Sequence, residues 1–237
     1  ADNYGLTVSS TSGSDSDVTY DSEGTGTLTL TSISTRANDF TLTHAGALTL
    51  TDVDTTTGAM TISTTSGAIA ANDVDATEGA VSITTTSGNI TATEVDTTTG
   101  NITLDTDSGT IALTDVDTAS GAIDVDATGN ITVTANGGVA ASGAGNININ
   151  SSTGYIRNSA TSDTTADITT VNGTLTLEAS TGIADSDNSN GLEIDSGTGA
   201  VSLTVDGTGA LWVDAVSADA DNYGLTVSST SGSDSDV

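Results

Sequence analysis

The sequence predicts an all-β chain wound as a single-stranded parallel β-helix, a β-solenoid of about 21 residues and about three short strands per coil. Three observations predict it. Glycines recur at two alternating intervals, aliphatic residues fall into columns at the summed interval, and apolar and polar residues alternate between the glycines.

The glycines are Gly46, Gly58, Gly67, Gly79, Gly88, Gly100, Gly109 and Gly121, in steps of 12 and 9 that sum to 21. Each unit reads roughly G-x-I-x-x-x-D-V-D-T-T-T-G-x-I-x-I-x-T-x-S. Stacked units form four aliphatic columns. They are Leu48, Ile69, Ile90 and Ile111; Val53, Val74, Val95 and Val116; Met60, Val81, Ile102 and Ile123; and Ile62, Ile83, Leu104 and Val125. Thr, Ser, Asp or Asn fill the places between.

Runs such as ALTLT, AMTIS, AVSIT and NITLD alternate with period two, the mark of strands with one buried face. Thr, Ile and Val suit strands, and no 3.6-residue pattern is present. Glycine stands where the chain must turn sharply. A narrow core needs one or two aliphatics per strand, which accounts for a hydrophobic fraction of 34% with 3% aromatics. Disorder would not keep apolar columns in phase. Leucine-rich repeats require an L-x-x-L-x-L run and an Asn, which are absent.

Regular coils run from about Gly26 to Gly129, and the spacing loosens afterwards through Gly145, Gly154, Gly173, Gly182, Gly191, Gly199 and Gly209. These later segments read as coils with altered corners in one continuous rod. The expected total is 10 or 11 coils spanning roughly 50 Å at β-sheet spacing. A second, longer period is also present. Residues 1–18 and 220–237 are the same eighteen letters, ADNYGLTVSSTSGSDSDV, offset by 220 − 1 = 219. Residues 1–219 are therefore expected to be one tandem unit and 220–237 the start of the next, within a longer polypeptide.

Charge excludes several functions. Two Lys plus Arg stand against 32 Asp plus Glu, for a formal charge of -30, and Arg36 and Arg157 are the only such cations. Phosphate binding needs clustered Lys and Arg, so nucleic acid is excluded as a partner, and docking on anionic membranes is disfavoured. No run approaches the ~20 apolar residues of a spanning helix. The chain has no cysteine and so no disulfide.

The residues best suited to chemistry form a ladder. Asp52 and Asp54 recur as Asp73 and Asp75, Glu94 and Asp96, then Asp115 and Asp117. The intervening valine points inward, so both acids point outward, and like charges repeat every ~4.8 Å along the rod. Repulsion between neighbours is about 1 kcal/mol in bulk water and about four times that at an effective dielectric of ~20. With no lysine to offset it, bound Ca²⁺ is the expected compensation, since hard carboxylate oxygens select it. Solvated, salt-screened acids are the competing reading. Asp185 and Asp187, in D-S-D-N-S-N-G, are a further candidate calcium loop, although the glycine comes one place late and the closing Glu is missing.

Paired carboxylates also serve glycosidases, but a catalytic pair would stand apart from the repeat, and these acids recur in every coil. No nucleophile–base pair or His cluster is present, so no enzyme is expected. His44, in the turn THAG, is expected to be a structural surface residue. The Asn-Ile-Thr sequons at Asn89, Asn101 and Asn130 reflect the strand pattern more than glycosylation. An ice-binding threonine face fits less well, because Thr49, Thr91 and Thr93 alternate with Ala70, Asn72 and Ala112. Tyr4, Tyr20, Tyr155, Phe40 and Trp212 are candidate contacts between shafts, or else corner-packing residues.

The repeats G-N-I-T-L, G-A-I-x-V and D-V-D-T-x-[TS]-G resemble the β-helical shafts of filamentous-haemagglutinin-type and other giant bacterial surface proteins. The likeness is one of repeat style over nearly the whole chain, and it carries over no functional residue. It implies right-handed coils, a Gram-negative exported protein, and an adhesive or structural shaft at the cell surface. Partners would be neighbouring tandem units and neighbouring chains, with any host or cell-surface glycan met by a part outside this chain. The lack of lysine and the 219-residue repeat depart from that group and fit a self-assembling extracellular filament or tube instead.

Overall fold

The computed structural model describes residues 4–9, 17–134, 137–159, 165–183, 191–207, 209–215 and 225–229. They form a parallel β-solenoid in which each regular coil contributes three strands. A five-residue strand lies on a long face, as in Met60–Thr64, Val81–Thr85 and Ile102–Thr106. Two three-residue strands follow as arms, as in Ile69–Ala71 with Val74–Ala76. The long face is a 10-stranded parallel sheet. The arms belong to one 17-stranded sheet because strand Leu28–Arg36 pairs with both Leu48–Leu50 and Val53–Thr55.

Every predicted column is a register column. Ile69 pairs with Leu48 on one side and Ile90 on the other, and Ile90 with Ile111. Val53, Val74, Val95 and Val116 stack likewise, as do Met60, Val81, Ile102 and Ile123 beside Ile62, Ile83, Leu104 and Val125. These side chains are buried in one continuous aliphatic cluster. Removing each from water contributes ~1.5–3 kcal/mol, so stability accumulates rung by rung.

The glycine corners are close approaches. At Gly79 and Gly100 an added Cβ would run into the carbonyl of the glycine one coil earlier, Gly58 and Gly79 respectively. Among the described glycines only Gly137 and Gly197 have positive φ. The glycine period therefore comes mainly from backbone packed on backbone, and less from the turn conformation that the sequence suggests.

Buried hydroxyls lock the corners. Thr55, Thr64 and Thr97 donate through Oγ1 to the carbonyls of Gly58, Gly67 and Gly100 at 2.7, 2.8 and 2.6 Å. His44 ends its strand in this same inward column, as register partner of Thr64, with Nε2 2.8 Å from the Gly26 carbonyl oxygen. It is therefore a buried corner residue and not the surface turn residue expected. Phe40 is wholly buried as well, register partner of Met60, and offers no outward contact.

Among the described residues the long face has ten strands, joined by nine coil steps. The late coils are longer: Ile147 to Leu175 spans 175 − 147 = 28 residues, against 102 − 81 = 21 for Val81 to Ile102.

The two copies of the terminal repeat lie on different sheets. Tyr4–Ser9 pairs with Leu28–Arg36 along the arms, whereas Leu225–Ser229 pairs with Val201–Val205 on the long face. The alternating letters LTVS suit either surface, and the neighbouring coil decides between them.

Candidate acidic cation ladder

The D-V-D acids sit on the second arm because valine there must face the core. Asp54, Asp75, Asp96 and Asp117 are successive register partners, the middle residues of three-residue strands whose ends are buried. Asp52, Asp73, Glu94 and Asp115 precede those strands. Their backbone carbonyls hold the ladder, Asp73 accepting from the Val53 N–H at 3.0 Å and Asp115 from Val95 at 2.9 Å.

Six of the eight acids gather into two triads. One carboxylate oxygen from each of Asp54, Asp73 and Asp75 lies within 4.8 Å of the other two, and the same holds for Asp96, Asp115 and Asp117. That separation is about twice a Ca²⁺–oxygen distance, so each triad is dimensioned for one cation bridging two coils. Asp52 and Glu94 fall outside both triads, and Asp185 and Asp187 lie outside the described residues.

The second acid of each pair is half-buried along a shallow groove lined by Asp75, Thr77, Asp96, Thr98 and Asp117. Asp75, Asp96 and Asp117 each keep a buried Oδ1 without a hydrogen-bond partner. Burial, followed by repulsion from Asp73, Asp96, Asp54 and Glu94, pushes Asp75 up to about 6. Asp96 is likewise pushed to about 6 by burial and then by Asp117, Asp115 and Glu94. Burial and then Asp115 push Asp117 to about 6, partly opposed by a backbone hydrogen bond from Ala140. Asp54 is raised by burial and by Asp52 and Asp73. Both causes disfavour the charged form, so a cation or a proton relieves the same repulsion.

The long face carries a second acidic strip that the glycine period does not single out. Asp105 stacks on Asp126 and then Asn150, and Asp124 accepts a hydrogen bond from Asn148 Nδ2 at 2.7 Å. These acids occupy outward strand positions held by Ser or Thr in earlier coils, and only the three-dimensional stack makes them neighbours. Burial raises Asp105 and Asp126 as well, with Asp107 adding to the first and the Asn150 amide partly offsetting the second.

The sequon asparagines are structural at this level. Asn89, Asn101 and Asn130 accept through Oδ1 from the backbone N–H of Thr110, Ala122 and Tyr155 one coil later, at 3.0, 2.9 and 3.0 Å. Of the aromatic candidates, Tyr155 and Trp212 are exposed at 41% and 43%, Tyr20 packs partly against the core, and the side chain of Tyr4 lies outside the described residues. No family model, no curated protein and no solved structure matches this chain.

Proposed function

We propose that this chain is a length of structural shaft in a giant exported repeat protein, an extracellular fibre or adhesive stalk stiffened by Ca²⁺ on its acidic ladder. The observation that carries this reading is register: the same side-chain types meet one rung apart along the rod, and a tandem repeat can extend such a stack without a new fold. The resemblance of the repeats to bacterial surface shafts supports an extracellular fibre, with any adhesion target met elsewhere in the parent chain.

Electron microscopy of the parent polypeptide tests the shaft. The nine long-face steps from Val18 to Leu225 cover 225 − 18 = 207 residues, so each added 219-residue unit should lengthen a thin rod by about 45 Å at ~4.8 Å per step. Globular beads, or a length unrelated to unit number, would end this reading.

Side-by-side assembly of shafts into a filament or tube is the second reading, favoured by the exposed Tyr155 and Trp212. Sheets or bundles that disperse when both are replaced by Ser would support it, and bundles unchanged by that replacement would remove it.

A further inference from the structure

The inward column of the first arm changes chemistry partway along the rod. Leu30, Leu50, Ala71, Ala92, Leu113 and Val133 stack in register, and the next partner is Asn158, 1% exposed. The outward acid column bends inward at the same level. From Asp115 it continues through Gly138 to Asp167 and Glu193, whose carbonyls accept from Val139 and Asp167 N–H at 3.1 and 2.8 Å. Asp167 and Glu193 are 0% and 2% exposed, unlike their counterparts in the regular coils.

These three side chains form one cluster. Asn158 Nδ2 donates to Asp167 Oδ2 at 2.8 Å and to Glu193 Oε2 at 2.9 Å, and the Glu193 N–H donates to Asp167 Oδ2 at 3.1 Å. Asn158 Oδ1, Asp167 Oδ1 and Glu193 Oε1 remain, all buried and all without a partner. Arg157 faces the opposite side of the strand from Asn158. The groups stacked nearest add negative charge: Asp214 is the register partner of Glu193, and Asp195 follows on the same strand.

Two buried carboxylates without a counter-charge carry a heavy desolvation cost. Burial, then the Asp167 carboxyl, pushes Glu193 up to about 7, in line with that cost. The leftover inventory is three acceptors and no donor. One shared proton supplies a single donor and leaves the Asn158 oxygen unpaired. A water supplies two donors and leaves the charge. A divalent cation would offer positive charge to oxygens of this kind and cancel both carboxylate charges.

We propose that Asn158, Asp167 and Glu193 form an internal Ca²⁺ site, distinct from the surface ladder. Two carboxylates and an amide oxygen are hard ligands of the kind Ca²⁺ takes. Mg²⁺ demands near-ideal octahedral geometry, whereas Ca²⁺ accepts irregular sets of carboxylate and amide oxygens and completes them with water. Asn158 and Asp167 belong to one coil and Glu193 to the next, so the ion staples two coils where the 21-residue period has given way to longer ones. The ladder's last acid, Asp117, is two rungs from the coil of Asn158 and Asp167 and three from that of Glu193, about 10 to 14 Å along the rod at ~4.8 Å each.

The test uses the 237-residue chain with the ladder neutralised by Asp54→Asn, Asp75→Asn, Asp96→Asn and Asp117→Asn. After dialysis into calcium-free buffer, elemental analysis should find one Ca²⁺ per chain retained, or regained on adding calcium. Terbium in its place should luminesce through Trp212, whose ring packs against Gly191, two residues from Glu193. Adding Glu193→Gln, which keeps shape and hydrogen bonding, should weaken terbium binding by about tenfold or more with an unchanged circular dichroism spectrum. Asn158→Leu, which restores the aliphatic column, should also abolish tight binding. Terbium binding unaffected by Glu193→Gln, or uptake of a proton with no retained calcium, would overturn the site. Loss of calcium from the ladder alone leaves it standing.

Discussion

Asp75 and Asp96 are register partners on adjacent parallel strands, and each keeps one buried carboxylate oxygen without a hydrogen-bond partner. Parallel β-stacking places like on like, so any charge written into the repeat is repeated against itself. The rod gains its core from this rule and its electrostatic strain from the same rule. Four measurable consequences come from the balance.

Calcium should raise the melting midpoint of the chain, and a chelator should lower it. The comparison is made at constant ionic strength, because sodium screening alone relieves part of the repulsion. A midpoint indifferent to chelator would retire the cation ladder.

In metal-free buffer the chain should become more stable as pH falls from about 7.5 to about 5. Asp75, Asp96 and Asp117 hold protons up to about 6 in the folded chain, against an ordinary aspartate value of 3.8. Across that window the native state binds more protons than the unfolded one, so the unfolding free energy falls as pH rises. Saturating calcium should flatten the dependence. Thermal melts against pH read both slopes, and stability that climbs with pH in metal-free buffer would contradict the assignment.

Asp96→Asn with Asp117→Asn should stabilise the metal-free rod and remove the calcium response of the second triad. The pair loses repulsion and desolvation cost together while the valine columns stay intact. Calorimetric calcium titration should then record fewer sites. An undiminished count would show that these acids are mere surface.

Gly100→Ala should destabilise the fold by about 1–3 kcal/mol or more, because the new methyl group collides with the Gly79 carbonyl. Gly24→Ala is the control. There the nearest atom to an added Cβ is Ser22 Oγ at 3.4 Å, an ordinary contact, so its unfolding curve should nearly superimpose on the parent's. Equal losses at both positions would show that glycine is needed for conformation and not for approach.

The period of 21, the inward columns and the outward acids follow from the residue pattern, since in-phase alternation admits one stacked arrangement. Ile69 meets Ile90 because a one-residue slip would turn the aliphatic residues outward and bury the polar ones between them. Local pattern does not fix how many residues each late coil spans, 175 − 147 = 28 from Ile147 to Leu175 against 102 − 81 = 21 from Val81 to Ile102.

Tertiary structure decided what each polar residue does. His44 reads as a surface turn, yet its strand ends inward at a glycine carbonyl. Six ladder acids close into triads while Asp52 and Glu94 stand aside, a matter of ångströms between coils that spacing cannot supply. Asn158, Asp167 and Glu193 are far apart in sequence and unremarkable in composition, and only the stacking of unequal coils buries them together. The identical segments holding Leu6 and Leu225 divide between sheets for a like reason. Period-two alternation specifies which side chains are buried together, and the coil already in place specifies on what.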